Sequence, residues 1–177
     1  MTELLAHVDA YIQEFDATVM ESASNGVILD RSAFYPGGGG QPADTGILRV
    51  GDTEHRVARM FMSGEKLVHE LDTEAPPVSS KIRGELDWDR RYKLMRTHTA
   101  LHILCGVVWR DYGAQVTGGD MKPLSARMDF ELDQMSVDFA GKIEMLVNEE
   151  VGMARPVETR TLARNEAFQI PDLIRTK

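Results

Sequence analysis

An α+β fold is predicted, a small β-barrel followed by a helix–strand–helix–strand segment, and three observations carry it. Short β-branched and aromatic stretches separated by Gly, Asn, Asp and Pro fill residues 5–85. Helical periodicity takes over near Arg90, after the Pro76-Pro77 break. Beyond it, alternating stretches at 126–132 and 157–162 interleave with a second helical pattern.

In chain order, the candidate strands are 16–22, 26–30, 45–50, 54–62, 66–71 and 81–86. Asn25-Gly26 reads as a type I′ hairpin turn, and Gly51-Asp52 and Ser63-Gly64 repeat the signal. Six short strands joined by tight turns suggest a barrel. The expected first domain is therefore 1–87, with a glycine-rich loop, and the second is 88–177. Asp87 or Asp89 is the expected N-cap of a helix over 90–112, and Gly113 its C-cap. Ser136 is the expected cap of a second helix over 137–153, whose Phe139, Ile143, Leu146 and Val147 share a face. A short helix is expected to start near Asn165, and the α/β part looks incomplete at its C-terminal end.

Composition narrows the classes. The 177 residues are 42% hydrophobic and 27% charged, ordinary for a globular protein. The N-terminus lacks the pattern of a secretory signal, and the longest apolar stretch, 100–108, is far shorter than the roughly 20 residues that span a bilayer. A cytoplasmic protein with no membrane partner is expected. Cys105 is the only cysteine, so no intrachain disulfide can form. The net charge of −8 argues against a broad nucleic-acid surface. A local one remains open, because Arg90, Arg91, Lys93 and Arg96 are followed by no acid until Asp111.

His98 and His102 stand four residues apart in an otherwise apolar helical stretch. At 3.6 residues per turn both imidazoles point from one face, which supplies about half the donors that zinc requires. Glutamate is absent from the second position, so this is not the zinc-protease His-Glu-x-x-His arrangement. Cys105 could be a third donor, although a packed core thiol is the favoured reading. Four consecutive glycines, Gly37, Gly38, Gly39 and Gly40, precede Gln41 and are hard to explain by stability, because glycine loses most entropy on folding. Either the bare backbone approaches a ligand there or the stretch is a wide flexible turn. The Lys-Ser/Thr ending of a phosphate loop is missing. Val116 to Met121 reads as a loop that could bring Thr117 beside the histidines. The basic run ending at Arg96 is either a solvated helix start or a contact for a phosphate-bearing ligand.

The segments 34–46, 96–105 and 117–130 together resemble those of the alanyl-tRNA editing proteins, free-standing relatives of the editing domain of alanyl-tRNA synthetase. The resemblance covers essentially the whole chain. It implies a translation-factor-like barrel followed by the two-layer α/β domain shared by threonyl- and alanyl-tRNA synthetases. It also implies zinc-assisted hydrolysis of mischarged tRNA(Ala), carrying serine or glycine. His98 and His102 match the family's first zinc half-motif, Gly37 to Gly40 its glycine motif, and Thr117 lies near a threonine that reads the serine hydroxyl. Gln41 and Arg96 fall in the same matching segments as substrate-binding candidates.

One departure stands out. The family completes its zinc site with a second half-motif after the second helix, and this chain has no histidine beyond His102. The remaining three, His7, His55 and His69, all lie in the first half. The resemblance therefore implies a shortened chain or a member that has lost its metal, and weak zinc binding is expected from two imidazoles and solvent. A non-catalytic module that binds the tRNA acceptor end is the competing reading.

Overall fold

Alternation of apolar and polar side chains between residues 14 and 86 closes six strands into a barrel. In a computed structural model, which describes residues 1–132, 135–158, 160–171 and Leu173, the strands are β2 (Glu14–Ala23), β3 (Gly26–Leu29), β5 (Gly46–Val50), β6 (Thr53–Ser63), β7 (Lys66–Leu71) and β8 (Lys81–Leu86). Their order around the barrel is β2-β3-β7-β6-β5-β8, with β8 returning to β2, and every pairing is antiparallel. Closure gives each of the six strands a partner strand on either side, β2 pairing with β8 over 14–18 and with β3 over 19–23. In β7 the even rhythm buries Leu67, His69 and Leu71 and turns Lys66, Val68 and Glu70 outward. Phe15, Val19, Val27, Leu29, Leu48 and Ile82 complete much of the core. Two further short strands, β1 (Glu3–Leu4) and β4 (Arg31–Ser32), pair in parallel beside the barrel.

The hairpin loops match the turn reading at Gly51-Asp52 and displace the other two by one residue. Gly51-Asp52 joins the paired Val50 and Thr53, with Gly51 at φ +57°. Between β2 and β3 the loop is Ser24-Asn25 instead of Asn25-Gly26: Ala23 pairs with Gly26, and Ser24 takes the positive φ of +52°. Gly26 is held as the first residue of β3 because it also pairs with Glu70 of β7. Between β6 and β7 the shift is the opposite, the loop being one residue later than read, Gly64-Glu65, with Gly64 at φ +61°.

The helix α1 (Trp88–Tyr112) starts where Asp87 accepts the Arg90 amide at 3.2 Å, and ends at Gly113, whose amide bonds the Trp109 carbonyl at φ +65°. After it come β9 (Val116–Lys122) and β10 (Ser125–Phe130), a two-stranded sheet, then α2 (Val137–Gly152) and the short α3 (Arg164–Ala167). Ser136 caps α2, its hydroxyl accepting the Phe139 amide at 3.1 Å. The expected strand at 157–162 does not form among the described residues, Thr159 lying outside them. A strand needs a partner for its backbone groups, and none pairs with this stretch among the described residues. No helix among the described residues is long and apolar enough to cross a membrane.

Contacts divide the chain into two units, Met1–Met95 with Met121–Leu124, and Arg96–Asp120 with Ser125–Lys177. The first has the barrel core. The second has a smaller cluster in which Val107, Val108, Ala114 and Ile143 are buried, flanked by Phe139, Leu146 and Val147.

Candidate functional site

The glycine segment of the first unit is an ordered turn. Gly37, Gly38, Gly39 and Gly40 all have positive φ, at +89°, +126°, +57° and +82°. Side chains rarely tolerate such a backbone once, and a run of four explains the composition. Gly38 and Gln41 exchange two backbone hydrogen bonds of 3.0 Å, leaving Gly39-Gly40 at an exposed tip. The Tyr35 hydroxyl donates to the Gly38 carbonyl at 3.1 Å. Backbone groups at the tip are therefore open to a ligand, while Gln41 is buried at the base.

Beneath the turn lies a buried ion pair. Asp44 accepts the Tyr35 amide at 2.7 Å and receives Arg91 Nε at 3.0 and 2.9 Å on its two oxygens, with a further short bond from the same guanidinium. Arg91 also donates to the Ala10 carbonyl at 2.9 Å and the Ala33 carbonyl at 2.7 Å. The pair's side chains are 3% and 1% exposed. Such a pair is tolerated when the remaining donors are satisfied, as they are here. The basic run is thus not uniformly solvated: Arg91 is committed to the interior, Arg90 donates to the Ala43 carbonyl at 2.7 Å, Lys93 pairs with Asp89 at 2.6 Å, and Arg96 is exposed.

In the second unit, His98 and His102 lie ring against ring, with centroids 4.8 Å apart and planes 15° off parallel. The pair is not evenly half-buried: His98 is, whereas His102 is exposed. Burial, and then the neighbouring His102, push the His98 pKa below its ordinary value. A neutral imidazole is the form that binds a metal, so the environment of His98 suits ligation. The donor count does not suffice, because no cluster of three His, Cys, Asp or Glu capable of holding a metal occurs among the described residues. Cys105 is a free, half-buried thiol and adds no third donor of such a cluster. The residues fit half of a zinc site.

Thr117 is on β9, where the sequence suggested a loop, and its side chain is exposed. Gly118-Gly119 concealed the strand, since glycine is depleted in strand interiors. Both glycines face crowded space: a Cβ on Gly118 would meet Asp129 Oδ2 at 3.0 Å, and one on Gly119 the Arg127 carbonyl at the same distance. The second unit also contains an open groove of about 570 Å³, lined by Thr99, Ile103, Val107, Glu150 and Val157 among others. Neither histidine lines it, because Thr99 and Ile103 lie about 100° around α1 from His98 and His102 respectively.

The family model of the class II (A) tRNA synthetases matches residues 2–90. The alanyl-tRNA editing protein AlaX-M of Saccharolobus solfataricus is 37% identical over 180 residues, covering 99% of this chain and 75% of that protein. Its counterpart from Methanosarcina barkeri is 37% identical over 174 residues, covering 94% and 72%. The chain belongs to the alanyl-tRNA editing protein family. An alanine–tRNA ligase of Ignicoccus hospitalis is 41% identical over 169 residues, which cover 94% of this chain and 19% of the ligase. The chain thus spans about three quarters of the editing proteins and about a fifth of the ligases it matches.

Of the candidate residues in this editing-family chain, the structure brings His98 and His102 together and sets Gly37 to Gly40 in one turn with Gln41 at its base. Arg96 and Thr117 lie in the second unit with the histidines. Asp44 and Arg91 were not singled out as a pair by the sequence. They stand 47 residues apart, and no local periodicity links them.

Proposed function

We propose that the chain is a trans-editing hydrolase that removes serine, and in second place glycine, from mischarged tRNA(Ala), without ATP. The observation that supports this reading most is the side-by-side His98–His102 pair on α1, in a chain whose relatives are named as alanyl-tRNA editing proteins. An aminoacyl ester on a ribose hydroxyl is already reactive, so holding it in place beside a water supplies much of the needed acceleration. In this reading the exposed backbone of Gly39 and Gly40 in the first unit, and the Arg96 guanidinium in the second, each contact substrate. His98 and His102 would hold a zinc ion only with further donors, and zinc so held would orient or polarise the ester or a water. No step is assigned to it, since the described donors make half a site.

Thr117 is the proposed specificity residue. An alanine pocket rejects serine poorly, because serine merely adds a hydroxyl, whereas a site that hydrogen-bonds the hydroxyl selects for it strongly. Thr117→Val is expected to reduce the Ser-over-Ala deacylation ratio by about tenfold or more. An unchanged ratio removes Thr117 from the role. The reading as a whole is tested by deacylation of Ser-, Gly- and Ala-tRNA(Ala) with added zinc: turnover of the first two and sparing of the third supports it. The incomplete donor set favours a second reading, a non-catalytic module for the tRNA acceptor end. Tight tRNA binding with no turnover of any of the three would establish that one instead.

A further inference from the structure

The glycine turn holds one conformation although its residues favour none. Gly38 and Gln41 exchange both backbone hydrogen bonds at 3.0 Å around the central Gly39 and Gly40, whose φ angles are +57° and +82°. Positive φ at both central residues is the mark of a type I′ turn. Glycine populates positive and negative φ about equally, so a run of four leaves the loop free to take other turn types unless a contact outside the run selects this one.

Tyr35 supplies that contact. Its hydroxyl donates to the Gly38 carbonyl at 3.1 Å, and the same oxygen accepts the Gln41 amide, so both of its lone pairs are used. The backbone of Tyr35 is itself fixed at the base of the loop, its amide donating to Asp44 at 2.7 Å and its carbonyl accepting the Asp44 amide at 3.0 Å. Arg91 of α1 grips Asp44 in turn. All of these residues belong to the first unit.

The consequence is directional. A trans peptide points its N–H opposite to its C=O, and no peptide among the described residues is cis. Drawing the Gly38 carbonyl towards Tyr35 and Gln41 therefore turns the Gly39 amide away from them. Neither that amide nor the Gly40 amide makes a hydrogen bond among the described residues, and both residues are exposed. Charge that develops in a reaction is stabilised best where water is excluded, so an exposed pair of amides suits binding more than the chemical step.

We propose that Tyr35 is a positioning residue for tRNA binding: its hydroxyl holds the type I′ turn so that the Gly39 and Gly40 amides are already set to donate to an oxygen of the RNA. This rests on the tRNA-directed reading above, in which the Gly39 and Gly40 backbone contacts substrate. Preorganisation of this kind acts on affinity, because the loop is ordered before the substrate arrives.

Tyr35→Phe in the full chain removes the hydroxyl and keeps the ring. The variant is compared with the wild type in its Kd for uncharged tRNA(Ala) by anisotropy, its KM and kcat for Ser-tRNA(Ala), and the NMR relaxation of the Gly39 and Gly40 amides. Kd and KM are expected to rise together by about threefold at unchanged kcat, since an exposed neutral hydrogen bond contributes at the low end of its usual range. The two amides are expected to gain mobility while the unfolding midpoint stays where it is. An unchanged Kd, amides as ordered as in the wild type, a fall in kcat at constant KM, or a lowered midpoint would each overturn the role, the last because the hydroxyl would then serve the fold. A wild-type chain that binds no tRNA brings down the tRNA reading and the proposal with it. If the wild type binds tRNA and Tyr35→Phe binds it equally well, Tyr35 alone loses its role and the reading stands. Where the wild type binds without turnover, Kd and the amide relaxation decide by themselves.

Discussion

The two units solve the problem of burial in opposite ways. The barrel cluster buries fourteen apolar residues, whereas that of the second unit buries four, Val107, Val108, Ala114 and Ile143. Polar groups follow the same division. The first unit seals Asp44, Arg91, Ser32 and His69 inside, while the ion pairs of the second, such as Arg110 with Glu150 and Glu150 with Arg155, involve exposed arginines. Met145, Val151, Met153 and Phe168 of the second unit are all more than half exposed. Stability is therefore concentrated in the barrel, while the proposed histidine and threonine chemistry is carried by the lightly packed unit. Low local packing is what lets a segment open or rearrange around a substrate.

The largest expected effect breaks the barrel's buried ion pair. Arg91→Ala would strand the Asp44 carboxylate, 1% exposed, and leave the Ala10 and Ala33 carbonyls without their donor. A loss of about 3–5 kcal/mol is expected for one partner of such a pair. Arg110→Ala, which removes an exposed arginine from the Glu150 pair, should leave the unfolding midpoint unchanged. Denaturant unfolding of both variants checks the contrast. Equal sensitivity would mean that the two units do not differ as their packing suggests.

Next in size is an acid limb that belongs to the barrel. His69 is fully buried, its Nε2 within 2.9 Å of the Ser32 hydroxyl and its ring edge-on to Phe34, and burial pushes its pKa down to about 4 from the ordinary 6.5. Its Nδ1 makes no hydrogen bond among the described residues. The unfolded chain therefore binds a proton that the folded barrel refuses, so stability is full above pH 6.5 and falls as the pH drops towards 4. The loss over that window is about 3 kcal/mol. His69→Gln is expected to flatten this limb whatever it does to stability at neutral pH. A pH dependence identical to that of the wild type would assign the limb to other groups.

The same division explains what was legible in the sequence. Strand alternation is local, so 66–71 and 81–86 were read with their observed bounds, and the caps Gly113 and Ser136 were read from single residues, while the structure decides for Asp87 over Asp89 at the start of α1. The His98–His102 pair was legible for the same reason, as one helix period sets it. What failed depended on distant partners. The β2–β3 turn moved because Gly26 is claimed by Glu70 across the barrel, and the role of Arg91 is set by an aspartate 47 residues away. In the second unit, β9 was hidden by two glycines whose pairing only β10 reveals. The strand read at 157–162 had the right rhythm and no partner among the described residues. Periodicity states which face a segment offers, and only a partner decides whether it is used.

The smallest effect on stability, and the sharpest on chemistry, comes from the histidines. His102 is exposed and His98 half-buried, so His98→Ala and His102→Ala remove little packing and should leave the barrel's unfolding midpoint where it is. Zinc uptake is expected to be weak in the unaltered chain, with less than one ion per chain retained after dialysis, because two imidazoles and solvent make a poor site. Either variant should abolish the uptake that remains, as a single imidazole cannot hold the ion against water. Metal analysis alongside an unfolding curve reads both quantities on one sample. Tightly held stoichiometric zinc would mean that donors beyond these two complete the site, and a midpoint that moves with either substitution would mean that the histidines serve the fold.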